Sequence, residues 1–276
     1  MNDSHPSILH VWNTAGVACT LAKWTNKIYG VHTDVYAMEK HNRFGHLTYG
    51  EPRPETRGRF YRFVLKNMSG FDIIHIHGLS DFVYVIKKYH PGKPVVLHYH
   101  GTDIRRRWNL RRIHWNHADV ILVSTLDLLK GAPERAIYLP NPVDPELFYP
   151  NPNPHEVDPD SALTFRLGAV ELAEELAEKH GLKLCVHSRN KKFLEMPQLL
   201  KQFSWYIDVR RDNDGELLSR AGGSGSLTGL EASACGLKVI NSDGEIRREL
   251  PTQHRIENVI KALHSIYMTL MEDSPK

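Results

Sequence analysis

Apolar positions along the chain form short, nearly continuous runs, separated by stretches in which they recur at helical spacing. The runs at residues 7–12 (Ser-Ile-Leu-His-Val-Trp), 34–36, 72–77 (Asp-Ile-Ile-His-Ile-His), 94–100 (Pro-Val-Val-Leu-His-Tyr-His), 118–123 and 136–139 read as strands. Between them the spacing predicts helices over about 17–29, 57–68 and 81–89. A strand without an alternating polar face is covered on both sides. Strands and helices alternating at this interval make βαβ units around a parallel sheet. The expectation is an α/β fold.

Residues 140–144, Pro-Asn-Pro-Val-Asp, lead into a segment holding Pro145, Pro150, Pro152, Pro154 and Pro159. Proline fixes φ and cannot donate to a sheet ladder, so the domain boundary is expected here, with domains 1–141 and 142–252. The alternation then resumes: strand 163–167, helix 170–180, strand 183–187, helix 197–203, strand 205–209, and a last helix and strand around Glu231. Over 253–276, Ile256, Val259, Ile260, Leu263, Ile266, Tyr267 and Leu270 share one helical face. That amphipathic helix is expected to pack on a sheet, toward the first domain. The run 221–226, Ala-Gly-Gly-Ser-Gly-Ser, has linker composition, either a native mobile loop or an introduced segment.

Hydrophobic residues at 41% and charged residues at 24% fit a water-soluble globular protein, and no apolar run approaches the roughly 20 residues that span a bilayer. The first residues lack the basic and apolar regions of a secretion signal, so a cytoplasmic location is expected. Three cysteines, Cys19, Cys185 and Cys235, lie far apart without CxxC spacing, which argues against a disulfide framework or a cysteine zinc site. The net charge is only +3, but Arg105, Arg106, Arg107, Arg111 and Arg112 cluster among Trp108, Leu110 and Trp115. Such a cluster is either a solvated helix face or an attraction for an anionic acceptor or membrane surface, as a peripheral protein of the inner face would have. No nucleic-acid-binding signature is present, and Gly16 stands in neither a GxGxxG nor a P-loop.

Candidate chemistry concentrates at Leu230-Glu231-Ala232-Ser233-Ala234-Cys235-Gly236-Leu237-Lys238-Val239-Ile240. Small residues at a helix start let a ligand approach the unpaired N–H groups and positive dipole end. A carboxylate there can accept hydrogen bonds from sugar hydroxyls. The segment resembles the donor-site motif of the retaining glycosyltransferase family 4. The small-residue turn after the first strand, the 72–78 strand with its glycine, the turn His98-Tyr99-His100-Gly101-Thr102-Asp103 and the 140–144 linker resemble that family in the same order. The resemblance implies a GT-B fold, two Rossmann-like domains with parallel sheets and an interdomain cleft. It also implies a retaining glycosyltransferase using a nucleotide-diphosphate sugar, UDP before GDP, and a hydroxyl acceptor, lipid-linked or glycan. No metal or cofactor is expected. Carried over by position, His100 and Asp103 are catalytic candidates. Gly16, Glu231, Thr228, Arg166, Arg189 and Lys191 belong to the donor side; His77, Arg105 and Arg106 belong to the acceptor side.

Two departures keep alternatives open. The first glutamate of the family's pair, eight positions before Glu231, is Gly223 here, and no lysine follows Arg166 as the family's diphosphate site would have. A nucleotide-binding scaffold with weak or lost transfer is therefore the second reading. His75, His77, His98 and His100 pair two apart on two strands, so each pair shares a sheet face, and four imidazoles suggest a metallohydrolase as the third. Against it, no carboxylate ligand set accompanies them. His10, His114 and His117 are expected on the surface or in packing.

Overall fold

The computed structural model describes residues 5–53, 56–167, 169–188, 190–212, 214–218 and 225–273. The chain folds as two compact units, Met1–Pro142 with Glu257–Lys276, and Val143–Ile256.

In the first unit, β1 (Ile8–Val11), α1 (Val17–Tyr29), β2 (Thr33–Met38), β3 (Glu51–Arg53), α2 (Arg57–Asn67), β4 (Ile73–His77), α3 (Asp81–Tyr89), β5 (Val95–Tyr99), the short α4 (Arg112–Trp115), β6 (Val120–Val123) and β7 (Ala136–Tyr138) build one sheet and its covering helices. The strand order is β3-β2-β1-β4-β5-β6-β7 and every described pairing is parallel. One face is apolar: Leu9, Val11, Ile74, Ile76, Leu97 and Tyr99 pack with Phe60 and Val64 of α2 and Phe82, Val83 and Ile86 of α3, all buried. Successive side chains of a strand face opposite ways, so the other face carries His10, His75, His77 and His98. The register sets His10 beside His75 and His77 beside His98.

The second unit holds β8 (Ser161–Phe165), α5 (Val170–Lys179), β9 (Lys183–His187), α6 (Met196–Leu200), β10 (Trp205–Asp208), α7 (Leu227–Ala234), β11 (Lys238–Asn241) and β12 (Ile246–Arg247), in the order β12-β11-β10-β8-β9. Leu163, Tyr206, Val239, Leu230 and Leu200 fill one side of this sheet, and Ala173, Leu176, Ile207 and Ile240 the other. The final helix, α8 (Ile256–Glu272), lies almost wholly in the first unit and reaches the histidine face through Tyr267, whose hydroxyl is 2.6 Å from His75 Nδ1.

Two strands differ from the sequence reading. The Glu51–Arg53 strand carries two charged residues and a proline, so no apolar run announces it; an edge position tolerates that proline. The Ile246–Arg247 strand is antiparallel, where a purely parallel sheet was expected. It folds back through a tight turn in which Gly244, at φ +79°, donates to the Asn241 carbonyl, and a hairpin needs no crossover helix.

Candidate active site

In the first unit the strand order reverses between β1 and β4. Open parallel sheets bind ligands outside the carboxyl ends of their strands at such a reversal. Three turns lie there. After β1, Trp12 (φ +74°), Ala15 (φ +51°) and Gly16 (φ +85°) are left-handed, a conformation that costs the two non-glycine residues energy and is held only by its surroundings. Gly16 then caps α1. After β4, Gly78 (φ +71°) lies so close to Asp103 that a Cβ would stand 2.8 Å from its Oδ2. After β5, the Asp103 carboxylate accepts the backbone N–H groups of His100, at 3.0 and 3.2 Å, and of Gly101, at 2.7 Å. Asp103 therefore fixes the turn that presents His100.

Behind that turn lies a ladder of five imidazoles, four of them fully buried. His10 Nδ1 is 3.0 Å from His77 Nε2, and His77 Nδ1 is 3.0 Å from His100 Nε2. His10, expected on the surface or in packing, is a hydrogen-bonded member of this group. Burial lowers the pKa of His10 to about 3 and that of His100 to about 4. It drives His75, His77 and His98 well below the usual histidine value, with their mutual repulsion adding to the effect. All five are neutral near pH 7. Two trios, His10 with His75 and His77, and His77 with His98 and His100, each bring ring nitrogens within 4.8 Å of one another. The rings do not converge on one point: His77 and His100 lie end to end and near-coplanar, at an interplanar angle of 14°, and His75 and His77 stack at 20°.

The arginine cluster divides. Arg105 is held by Asp127, at 2.7 and 2.8 Å, so its charge is already matched. Arg106, Arg107 and Arg112 are exposed beside Leu110 and Ile113, which show 78% and 63% of their surface.

In the second unit the order reverses between β8 and β10, and the start of α7 lies at the carboxyl end of β10. Ser226 caps the helix: its Oγ accepts the Gly229 N–H at 2.9 Å, while its own N–H donates to Asp208 Oδ2 at 2.8 Å. Gly229 packs so tightly on the Asp208 carboxylate that a Cβ would collide with it. Glu231, only 5% exposed, and Thr228 are buried within α7. Arg210 Nη2 donates to Thr228 Oγ1 at 3.2 Å, and Arg247 Nε to Ser233 Oγ at 2.9 Å. Burial alone would lower the Arg210 pKa, but Tyr206, Asp208 and Glu231 together raise it above its ordinary value; for Arg247, burial prevails over Asp208 and lowers it. A helix start, two half-buried guanidinium groups and a buried carboxylate make a site suited to an anion that carries hydroxyl groups.

Arg210 and Arg247 were missed by sequence reasoning. Arg210 directly follows the predicted strand 205–209 and was findable; Arg247 comes to the site only through the antiparallel β12. Arg166 follows β8 and is exposed, as is Lys191. Arg189 and Gly223 lie outside the described residues, as does most of the 221–226 run.

Residues 33–147 match the sequence model of Glycosyltransferase Family 4. No curated protein matches the chain. Among solved structures, a sucrose-phosphate synthase from Thermosynechococcus elongatus is similar with a TM-score of 0.61 and 11% identity, over 97% of this chain and 100% of that one. An alpha-glucosyltransferase in complex with UDP and a 13-mer DNA containing a central A:G mismatch is similar with a TM-score of 0.58 and 14% identity, over 97% and 91%. At such identities the likeness is one of fold. The resemblance to glycosyltransferase family 4 thus rests on a matching segment, residues 33–147, set within a GT-B fold that extends over nearly the whole chain.

Proposed function

We propose that the protein is a retaining glycosyltransferase that moves a sugar from a nucleotide-diphosphate sugar, UDP before GDP, to a hydroxyl acceptor without a metal ion. The observation that carries this reading is the start of α7, where buried Glu231 and Thr228 stand with Arg210 and Arg247 around a capped helix N-terminus. Negative charge that develops on a departing diphosphate needs a cation or helix dipole. Preorganised charges of this kind are the largest catalytic term in many enzymes. Arg210 and Arg247 take the place of the arginine and lysine that the family resemblance led us to seek at Arg166, Arg189 and Lys191. Glu231 would accept hydrogen bonds from the ribose hydroxyls. Within the first unit, the strained turn at Gly16 and the His100 turn held by Asp103 stand at the carboxyl ends of β1 and β5. The matching segment and the UDP bound to one structural neighbour support the reading.

The acceptor side draws on the first unit, and the exposed Leu110 and Ile113 among Arg107 and Arg112 suit an acceptor carried on an anionic membrane surface. No described helix is long and apolar enough to cross a membrane. Calorimetry with UDP and GDP, followed by turnover of a panel of nucleotide sugars with and without chelator, tests the reading. Binding of UDP with sugar transfer or slow donor hydrolysis, insensitive to chelator, is expected. Binding without turnover would favour the scaffold reading, and failure to bind either nucleotide would remove both.

A further inference from the structure

His10, His77 and His100 form one unbroken hydrogen-bonded chain, from His10 Nδ1 to His77 Nε2 and from His77 Nδ1 to His100 Nε2, each step 3.0 Å. The outer nitrogens, His10 Nε2 and His100 Nδ1, are buried and have no partner among the described residues. Burial keeps the three rings neutral near pH 7, and a neutral imidazole has one N–H and one bare nitrogen. Each hydrogen bond also needs one of each. The three rings must therefore share a tautomer: all carry the proton on Nδ1, or all carry it on Nε2.

The two forms differ in where they leave an unpaired donor. With Nε2–H throughout, the donor lies at His10 Nε2, inside a fully buried strand, where no described residue accepts it. With Nδ1–H throughout, it lies at His100, on the turn held by Asp103 at the carboxyl end of β5, and His10 keeps only a bare nitrogen. Each form leaves one N–H without a partner among the described residues, a rare defect in folded proteins. His10, however, is wholly buried, whereas His100 is partly exposed at its turn, the end of the hydrogen-bonded chain nearer the surface. We propose that His10 and His77 are positioning residues that hold His100 in its Nδ1–H form, so that His100 offers a ligand oxygen a hydrogen-bond donor and not a base. The identity of that oxygen as a sugar oxygen rests on the transferase reading; the shared tautomer does not.

A metal ion is the competing explanation, because the same nitrogens lie within reach of one another. It would replace the shared protons and leave His77 and His100 with bare nitrogens facing the ion. The near-coplanar, end-to-end rings of His77 and His100, with centroids 5.2 Å apart, favour the hydrogen-bonded chain.

Long-range proton–nitrogen correlation spectra of the full chain, labelled with 15N-histidine at pH 8, read each tautomer directly. Metal content is measured by plasma emission on the same sample. The proposal expects Nδ1 protonated and Nε2 bare in both His77 and His100, with less than a tenth of an equivalent of zinc. His10→Asp places an acceptor-only oxygen where His10 Nδ1 stood; it should force His77 to donate through Nε2 and reverse the tautomer of His100, two rings away. His10→Asn, whose amide can still donate, should keep the wild-type pattern. A purely packing role for His10 would not move the His100 spectrum. Different tautomers in His77 and His100, Nε2–H in both, stoichiometric metal, or an unchanged His100 in a folded His10→Asp protein would each overturn the proposal. If His10→Asp does not fold, the wild-type spectrum decides alone. Since no substrate is present, loss of the transferase reading would leave this result standing.

Discussion

At the scale of single residues, the two candidate sites should fail differently. Glu231→Ala removes a buried carboxylate from the start of α7. A charged hydrogen bond of that kind contributes about 1.5–3 kcal/mol, so UDP affinity measured by calorimetry should fall about one to two decades. His100→Ala should leave UDP affinity within about threefold of wild type while reducing sugar transfer strongly, since the proposed transferase reading puts it beside the reacting sugar. If His100→Ala abolished nucleotide binding and Glu231→Ala spared it, the two roles would be reversed. Gly229→Ala tests packing rather than chemistry. Its Cβ would press on the Asp208 carboxylate that also accepts the Ser226 N–H, so a loss of about 1–3 kcal/mol in urea unfolding is expected. An unchanged midpoint would mean that α7 can shift away from β10 at little cost.

At the scale of elements, α8 shows how a segment distant in sequence completes a sheet face. Its apolar stripe includes the buried residues Val259, Ile260, Leu263 and Tyr267, and the Tyr267 hydroxyl meets His75 by a hydrogen bond. Tyr267→Phe keeps the ring and leaves His75 Nδ1 without its partner. A loss of about 1–3 kcal/mol is expected, seen as a lower thermal midpoint. Deleting 257–276 should do far more, because it removes that stripe and uncovers the imidazole face it meets; circular dichroism should then report loss of the first unit's cooperative unfolding. A deletion variant as stable as the full chain would show that α8 contributes nothing to the first unit. The helix was legible from its 3.6-residue period, whereas β3 and β12 were not: each is too short to show a period and takes its partners from the sheet it joins.

At the scale of the whole molecule, buried neutral histidines couple stability to pH. Each such group has a folded pKa far below its unfolded value of about 6.5: about 3 for His10 and about 4 for His100, with His75, His77 and His98 also well below it. The unfolded chain therefore binds more protons between those limits, so stability is full above about pH 6.5 and declines as pH falls toward the folded values. Each histidine contributes a slope of about 1.4 kcal/mol per pH unit there. Denaturant unfolding should give constant stability from pH 7 to 8 and a steep fall below pH 6, and a flat profile down to pH 5 would show that these groups are not buried in solution. The amino-acid sequence by itself determined the α/β class and most strands and helices. It also determined the local motifs around Glu231 and His98 to Asp103, because periodicity, turn chemistry and a helix start are properties of neighbours along the chain. Only the tertiary structure brought His10 to His77, Tyr267 to His75, and Arg210 and Arg247 to α7. Those meetings depend on strand order, a hairpin and a returning helix, and a single chain carries no local signal for which of its distant segments will lie side by side.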